Sequence, residues 1–132
     1  MIGLDTNILV RFLVRDDEKQ SRIVYERFKK AEAEREIFFI PLPVVLETIW
    51  VLESAYNLSR REILDSIDDL SRMPLFFFEE ERVIADFLAA ARKTKMDLAD
   101  MIIAQSAKAG GCERIITFDK KAARFKFFKL LT

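Results

Sequence analysis

The feature that most constrains this chain is a series of short strand candidates whose apolar residues do not alternate: IGLD at 2–5, IFFI at 37–40, LFFF at 75–78 and ERIITFD ending at Asp119, separated by one or two helix-length segments. A strand with one wet face alternates apolar and polar residues, whereas a strand covered on both faces is apolar at each position. Runs of the second kind, spaced by helices, predict an α/β fold, a three-layer sandwich around a mostly parallel sheet of four or five strands. The fifth strand falls in the tail KFFKLL.

Local signals place the helices. One of Asp5, Thr6 or Asn7 caps a helix running into ILVRFLV. Over residues 17–35, Ile23, Val24, Phe28 and Ala31 recur at helical spacing and predict one buried face. Pro43 opens the next helix, VVLETIWVLESAY, without losing a helical hydrogen bond. It is apolar nearly all round, which predicts cover on both faces, one of them supplied by a second subunit. Ser59 with Glu62 makes a capping box ahead of the stripe Ile63, Ile67 and Leu70. A helix over 80–93 follows the LFFF strand, and DLADMIIAQSAKAGG has Asp at its start and Gly110 and Gly111 at its end, the normal polarity of a helix.

With 132 residues and neither linker nor repeat, the chain is expected to form a single domain, 1–132, able to bury about two thirds of its extended surface. Basic and acidic residues both total 22, so bulk charge argues neither for nor against a polyanionic ligand. The lone Cys112 excludes an internal disulfide and a cysteine metal cluster. Histidine is absent, which excludes His-based zinc sites, Ser-His-Asp triads and ribonuclease chemistry run by histidine acid and base. Without an apolar span of 18 residues or a signal-like start, the expectation is a cytoplasmic protein with no membrane partner.

Carboxylates remain. Asp5 ends the first strand, Asp119 ends a late one, and Asp100 lies in the first turn of the helix leading to it, so all three are expected on one edge of the sheet, where parallel sheets bind ligands. Glu47 sits within an apolar helix, where an ionised carboxylate is costly unless paired or bound to a cation. Asp97 is either a helix cap or a further acid on the face of Asp100. Clustered carboxylates need positive charge, and an all-oxygen donor set suits Mg²⁺, with Mn²⁺ as a substitute. Such an ion activates water and offsets charge on a phosphodiester. Thr6, Asn7 and Thr117 are placed to hydrogen-bond a bound water or phosphate oxygen.

LDTNILVRFL, PLPVVLETIWVLE, DLADMIIAQSAKAGG and IITFD, taken in order, resemble the four motifs of the PIN-domain family, and more closely its VapC-type toxin ribonucleases. The resemblance runs from residue 2 to about residue 125. It implies metal ligands at Asp5, Glu47, Asp100 and Asp119, with Asp97 accessory and Thr6, Asn7 and Thr117 beside them. It also implies a PIN-like fold, divalent-metal-dependent endoribonuclease activity, a small cognate antitoxin and a homodimer. The alternative within the family is a non-catalytic PIN-like domain that binds RNA or protein.

Two other acidic α/β classes fit less well. A phosphoacceptor receiver leaves Glu47 without a task, and an aspartyl phosphatase needs an acid where Asn7 stands. Seven basic residues between 108 and 132 make a basic end suited to a nucleic-acid backbone, while Arg11, Arg15, Arg92, Lys93 and Lys95 are further candidates for phosphate or antitoxin carboxylates. The phenylalanines of FKKAEAEREIFF and PLFFF are expected in a core or an interface rather than under bases.

Overall fold

A computed structural model describes all residues, Met1–Thr132. Five short strands and six α-helices alternate along the chain, and every strand pair is parallel. The α/β reading with parallel strands and flanking helices therefore holds. Two compact units divide the chain, Met1–Glu80 and Glu81–Thr132.

The first unit holds a three-stranded sheet in the order β1 (Ile2–Gly3), β2 (Phe38–Ile40), β3 (Phe76–Phe78). Phe38 pairs with Ile2 on one side and Phe76 on the other. Four helices join these strands: α1 (Thr6–Leu13), α2 (Glu18–Ala33), α3 (Leu42–Ser54) and α4 (Arg60–Arg72). Phe28 of α2 is the hub of an aromatic core, with ring centroids 5.0, 5.1 and 5.4 Å from those of Phe12, Phe38 and Phe76. These edge-on and tilted contacts add to the burial of the rings themselves. The opposite sheet face differs from the expectation of full cover, because Phe39 and Phe77 stack 6.2 Å apart and Phe77 stays 43% exposed.

Most local signals act as read. Ser59 and Glu62 form both halves of the capping box on α4, and Ile63, Ile67 and Leu70 are buried beneath it. Along α2, Val24, Phe28 and Ala31 are buried, but Ile23 is exposed because it falls one position off the stripe. Helix α3 starts one residue earlier than Pro43 predicts, with Pro41 as N-cap. It is also less covered than its composition implies: Val45, Thr48, Ile49 and Leu52 face inward, while Pro43, Glu47, Trp50 and Ser54 form an exposed stripe.

In the second unit, α5 (Glu81–Ala91) packs against α6 (Leu98–Ala109), followed by β4 (Ile115–Thr117), a short 3-10 helix and β5 (Phe128–Leu130). The tail KFFKLL does form a strand, in register with β4 from Ile115↔Phe128 to Thr117↔Leu130. No helix is long and apolar enough to cross a membrane.

Candidate active site

In the first unit, Asp5 follows the last residues of β1 and caps α1. Its backbone is extended, and its carboxylate accepts the Thr6 N–H at 2.8 Å. Of the three capping candidates, Asp5 fills the position. The cap engages one oxygen of an exposed side chain. Thr6 is buried and its hydroxyl has no hydrogen-bond partner, while Asn7 is exposed at the rim of a cavity of about 370 Å³ shared with Ile8 and Arg11.

Glu47 lies on α3, which packs against α1. Its side chain is exposed, so the expected cost of burying an ionised carboxylate does not arise there. The apolar residues of α3 turn inward around it, and hydropathy of the segment could not show which way position 47 points. Its neighbour Thr48 is fully buried, with its hydroxyl unpartnered.

A residue that the sequence reading passed over holds this region in place. Glu79, just past β3, accepts the Leu42 N–H at 2.8 Å and donates its own N–H to Ile40 O at 2.9 Å. Helix α3 has no side-chain cap from Pro41. Pro43 has no N–H, and Val44 and Val45 both donate to Pro41 O, so Leu42 has the one amide of the first turn left over. The signal was an acid directly after an apolar strand.

The second unit gathers three acids. Asp97 caps α6 by accepting the Asp100 N–H at 3.1 Å, which settles its cap role. Asp119, beyond the C-terminal end of β4, accepts Lys121 N at 2.8 Å and Ala122 N at 3.3 Å, and its own N–H donates to the Thr117 hydroxyl at 3.0 Å. Asp100 is half-buried between them. Its pKa is raised, first by burial and then by the negative charges of Asp97 and Asp119.

The donor chemistry fits a hard divalent ion, since each acid offers oxygen only. The geometry fits less well: no three Asp, Glu or Cys side chains stand close enough together to hold a metal ion.

Arg11 is not a free phosphate contact. Its hydrogen bond to Tyr56 at 3.1 Å and its pairing with Asp16 at 3.2 Å raise its pKa, it also donates to Gln20 at 2.7 Å, and the Tyr56 contact ties α1 to the segment just past α3.

A sequence profile of the PIN domain matches residues 2–128. The chain belongs to the PIN-domain family. One profile thus runs across both compact units of this PIN domain. A VapC ribonuclease from Aquifex aeolicus (strain VF5) is 25% identical over 124 residues, which span 94% of this chain and 91% of that protein. In this PIN domain Asp5 and Asp119 each follow the C-terminal end of a strand, Glu47 lies on the helix after β2, and Asp100 lies in the first turn of α6.

Proposed function

We propose that this PIN domain hydrolyses RNA phosphodiester bonds with a divalent cation, Mg²⁺ or Mn²⁺, held by Asp5, Glu47, Asp100 and Asp119. The observation that carries the reading is the acid group around Asp100, where burial and the neighbouring carboxylates of Asp97 and Asp119 raise its pKa. When bound, the cation supplies positive charge, lowers the pKa of a water and stabilises the anionic transition state.

The chain's own residues divide the remaining work. Asp97 and Asp119 are stiffened by backbone N–H groups, so their free oxygens keep a fixed direction. Thr6 offers a buried, unpartnered hydroxyl beside Asp5, and Asn7 and Thr117 offer polar groups to a phosphate or a water. Addition of water across the P–O3′ bond leaves a 5′-phosphate and a 3′-hydroxyl.

The likeness to a VapC ribonuclease supports a toxin role, with a short antitoxin as partner. The exposed Trp50 and Phe77 supply apolar surface for a homodimer. One geometric fact favours a second reading, a PIN domain that binds RNA or protein without cutting: no three acids are assembled tightly enough to ligate an ion. On the geometry alone this second reading is the better supported, while the donor set and the raised pKa of Asp100 beside Asp97 and Asp119 speak for catalysis.

Incubation with mixed structured RNAs separates the two. Catalysis predicts cleavage with Mg²⁺ or Mn²⁺, none with chelator, and loss in Asp5→Asn. RNA retained intact under all conditions establishes the binding reading, and equal cleavage by the variant refutes the assigned residues. The toxin role predicts that the short protein encoded next to this gene co-purifies with the chain and suppresses cleavage. Light scattering that reports a monomer would refute the dimer.

A further inference from the structure

Lys120 and Lys121 of the basic end directly follow Asp119, but Lys108, Arg114 and Lys126 gather elsewhere. Helix α6 ends at Ala109, and a tight turn follows in which Gly111 donates to Lys108 O and Cys112 to Ala107 O, both at 3.0 Å. Gly111 takes φ +89°, a conformation that side chains disfavour, and the reversal returns Glu113 and Arg114 alongside the last turn of α6. Strand β4 then begins. Because Ile115 pairs with Phe128 and donates to Phe127 O at 2.9 Å, Arg114, Lys126 and Phe127 stand side by side where β4 and β5 start.

These residues, with Lys108 and Glu113, line a cavity of about 320 Å³. Three cations face one carboxylate there, in a chain whose formal net charge is zero. None of the three is in an ion pair, whereas Arg11, Arg27, Arg61, Arg72 and Arg82 all have one. The Lys108 ammonium lies 4.9 Å from the centroid of the half-exposed Phe127 ring. Converging unpaired cations repel one another, and an anionic ligand relieves that repulsion. Phosphates on spaced cations with a flat ring on an aromatic face is the chemistry by which single-stranded nucleic acid is held without sequence reading.

The cavity lies at the start of β4, and Asp119 lies beyond its end. Four residues, including all three of β4, separate Arg114 from Asp119, and the strand alone spans about 10 Å at strand rise. The cavity is therefore separate from the acid group.

We propose that the Lys108, Arg114, Lys126 and Phe127 cavity is an anchoring subsite for single-stranded RNA, binding backbone phosphate with a base against Phe127. It deepens the RNA reading above and rests on it for the identity of the polyanion. The residues position substrate and take no part in bond cleavage.

The test is fluorescence anisotropy of a labelled single-stranded oligouridylate with the full chain in chelator, across a salt series. Removing one cation that touches a phosphate lowers the slope of log affinity against log salt by about 0.7, about fivefold in affinity at 0.1 M salt. Lys126→Gln and Arg114→Gln should each lose about that much, and the double variant about 1.4 in slope. Arg61→Gln, which removes an equal charge on α4, should keep the wild-type slope. Circular dichroism checks that the variants fold.

An unchanged slope in the folded double variant overturns the subsite, as does an equal loss in Arg61→Gln. Competition by polyglutamate as strong as that by oligouridylate overturns it in favour of an acidic protein partner. Absence of RNA binding by the wild-type chain also overturns it. The cleavage reading fails separately: if wild type binds RNA as described but never cuts it with Mg²⁺, the subsite stands and catalysis falls. If cutting occurs, the double variant should raise KM and leave kcat unchanged.

Discussion

Replacing Glu79 tests how the helix that bears Glu47 is held. The carboxylate accepts the one first-turn amide of α3 that the backbone leaves unbonded, at 2.8 Å from a half-buried position. Glu79→Ala strands the Leu42 N–H and removes a negative charge from a helix N-terminus. A hydrogen bond to a charged group contributes about 1.5–3 kcal/mol, so a loss of about 2 kcal/mol is expected. An unfolding entropy of about 2.1 cal/mol/K per residue, applied to 132 residues, converts this to a fall in Tm of about 7 °C. Glu79→Gln keeps an acceptor and loses only the charge, so it should fall by about a third as much. Calorimetry of the three proteins reads both numbers. A Glu79→Ala protein melting within about 2 °C of wild type would refute the capping role, and equal losses in both variants would refute the division between hydrogen bond and charge.

Other residues give independent tests. A carboxyl with a raised pKa holds its proton more tightly in the folded chain, so Asp100 costs stability as pH rises from the unfolded value of about 3.9 through the raised one. In chelator, Asp100→Asn should therefore melt above wild type at pH 7, with the gap closing near pH 3; a lower Tm at pH 7 would contradict the repulsion. Thr48→Val replaces a buried, unpartnered hydroxyl by a methyl of the same shape and should stabilise by about 1 kcal/mol in urea unfolding. Ile49→Ala empties a fully buried position on the same helix and should destabilise by about 2–5 kcal/mol, measured in the same way. Ser59→Ala should cost about 1 kcal/mol by removing one half of the capping box on α4.

Features whose causes lie within a few residues were legible in the chain. The capping box at Ser59 and Glu62 and the stripe Ile63, Ile67, Leu70 need only helical spacing and a short polar side chain, whereas the cap at Asp97 was one of two readings left open. The strand cores Phe38–Ile40 and Phe76–Phe78 were legible as apolar runs, though Phe77 shows that such a run need not be covered on both faces. Glu47 was misread in its burial: composition sees an acid among apolar neighbours, but the helical turn of about 100° per residue decides which of them share its face.

By itself, the sequence determined the α/β class, the parallel strands, most helix ends and the exclusion of histidine-based chemistry, because absent histidine and hydropathy period are properties of the chain. Tertiary structure alone decided that Arg11 serves Tyr56 and Asp16, that Glu79 completes α3, and that three cations meet at the start of β4 while Asp119 lies past its end. Each of these joins residues whose nearness depends on strand register and chain reversal. A linear reading shows that such charges exist, and the fold determines which of them act on one another.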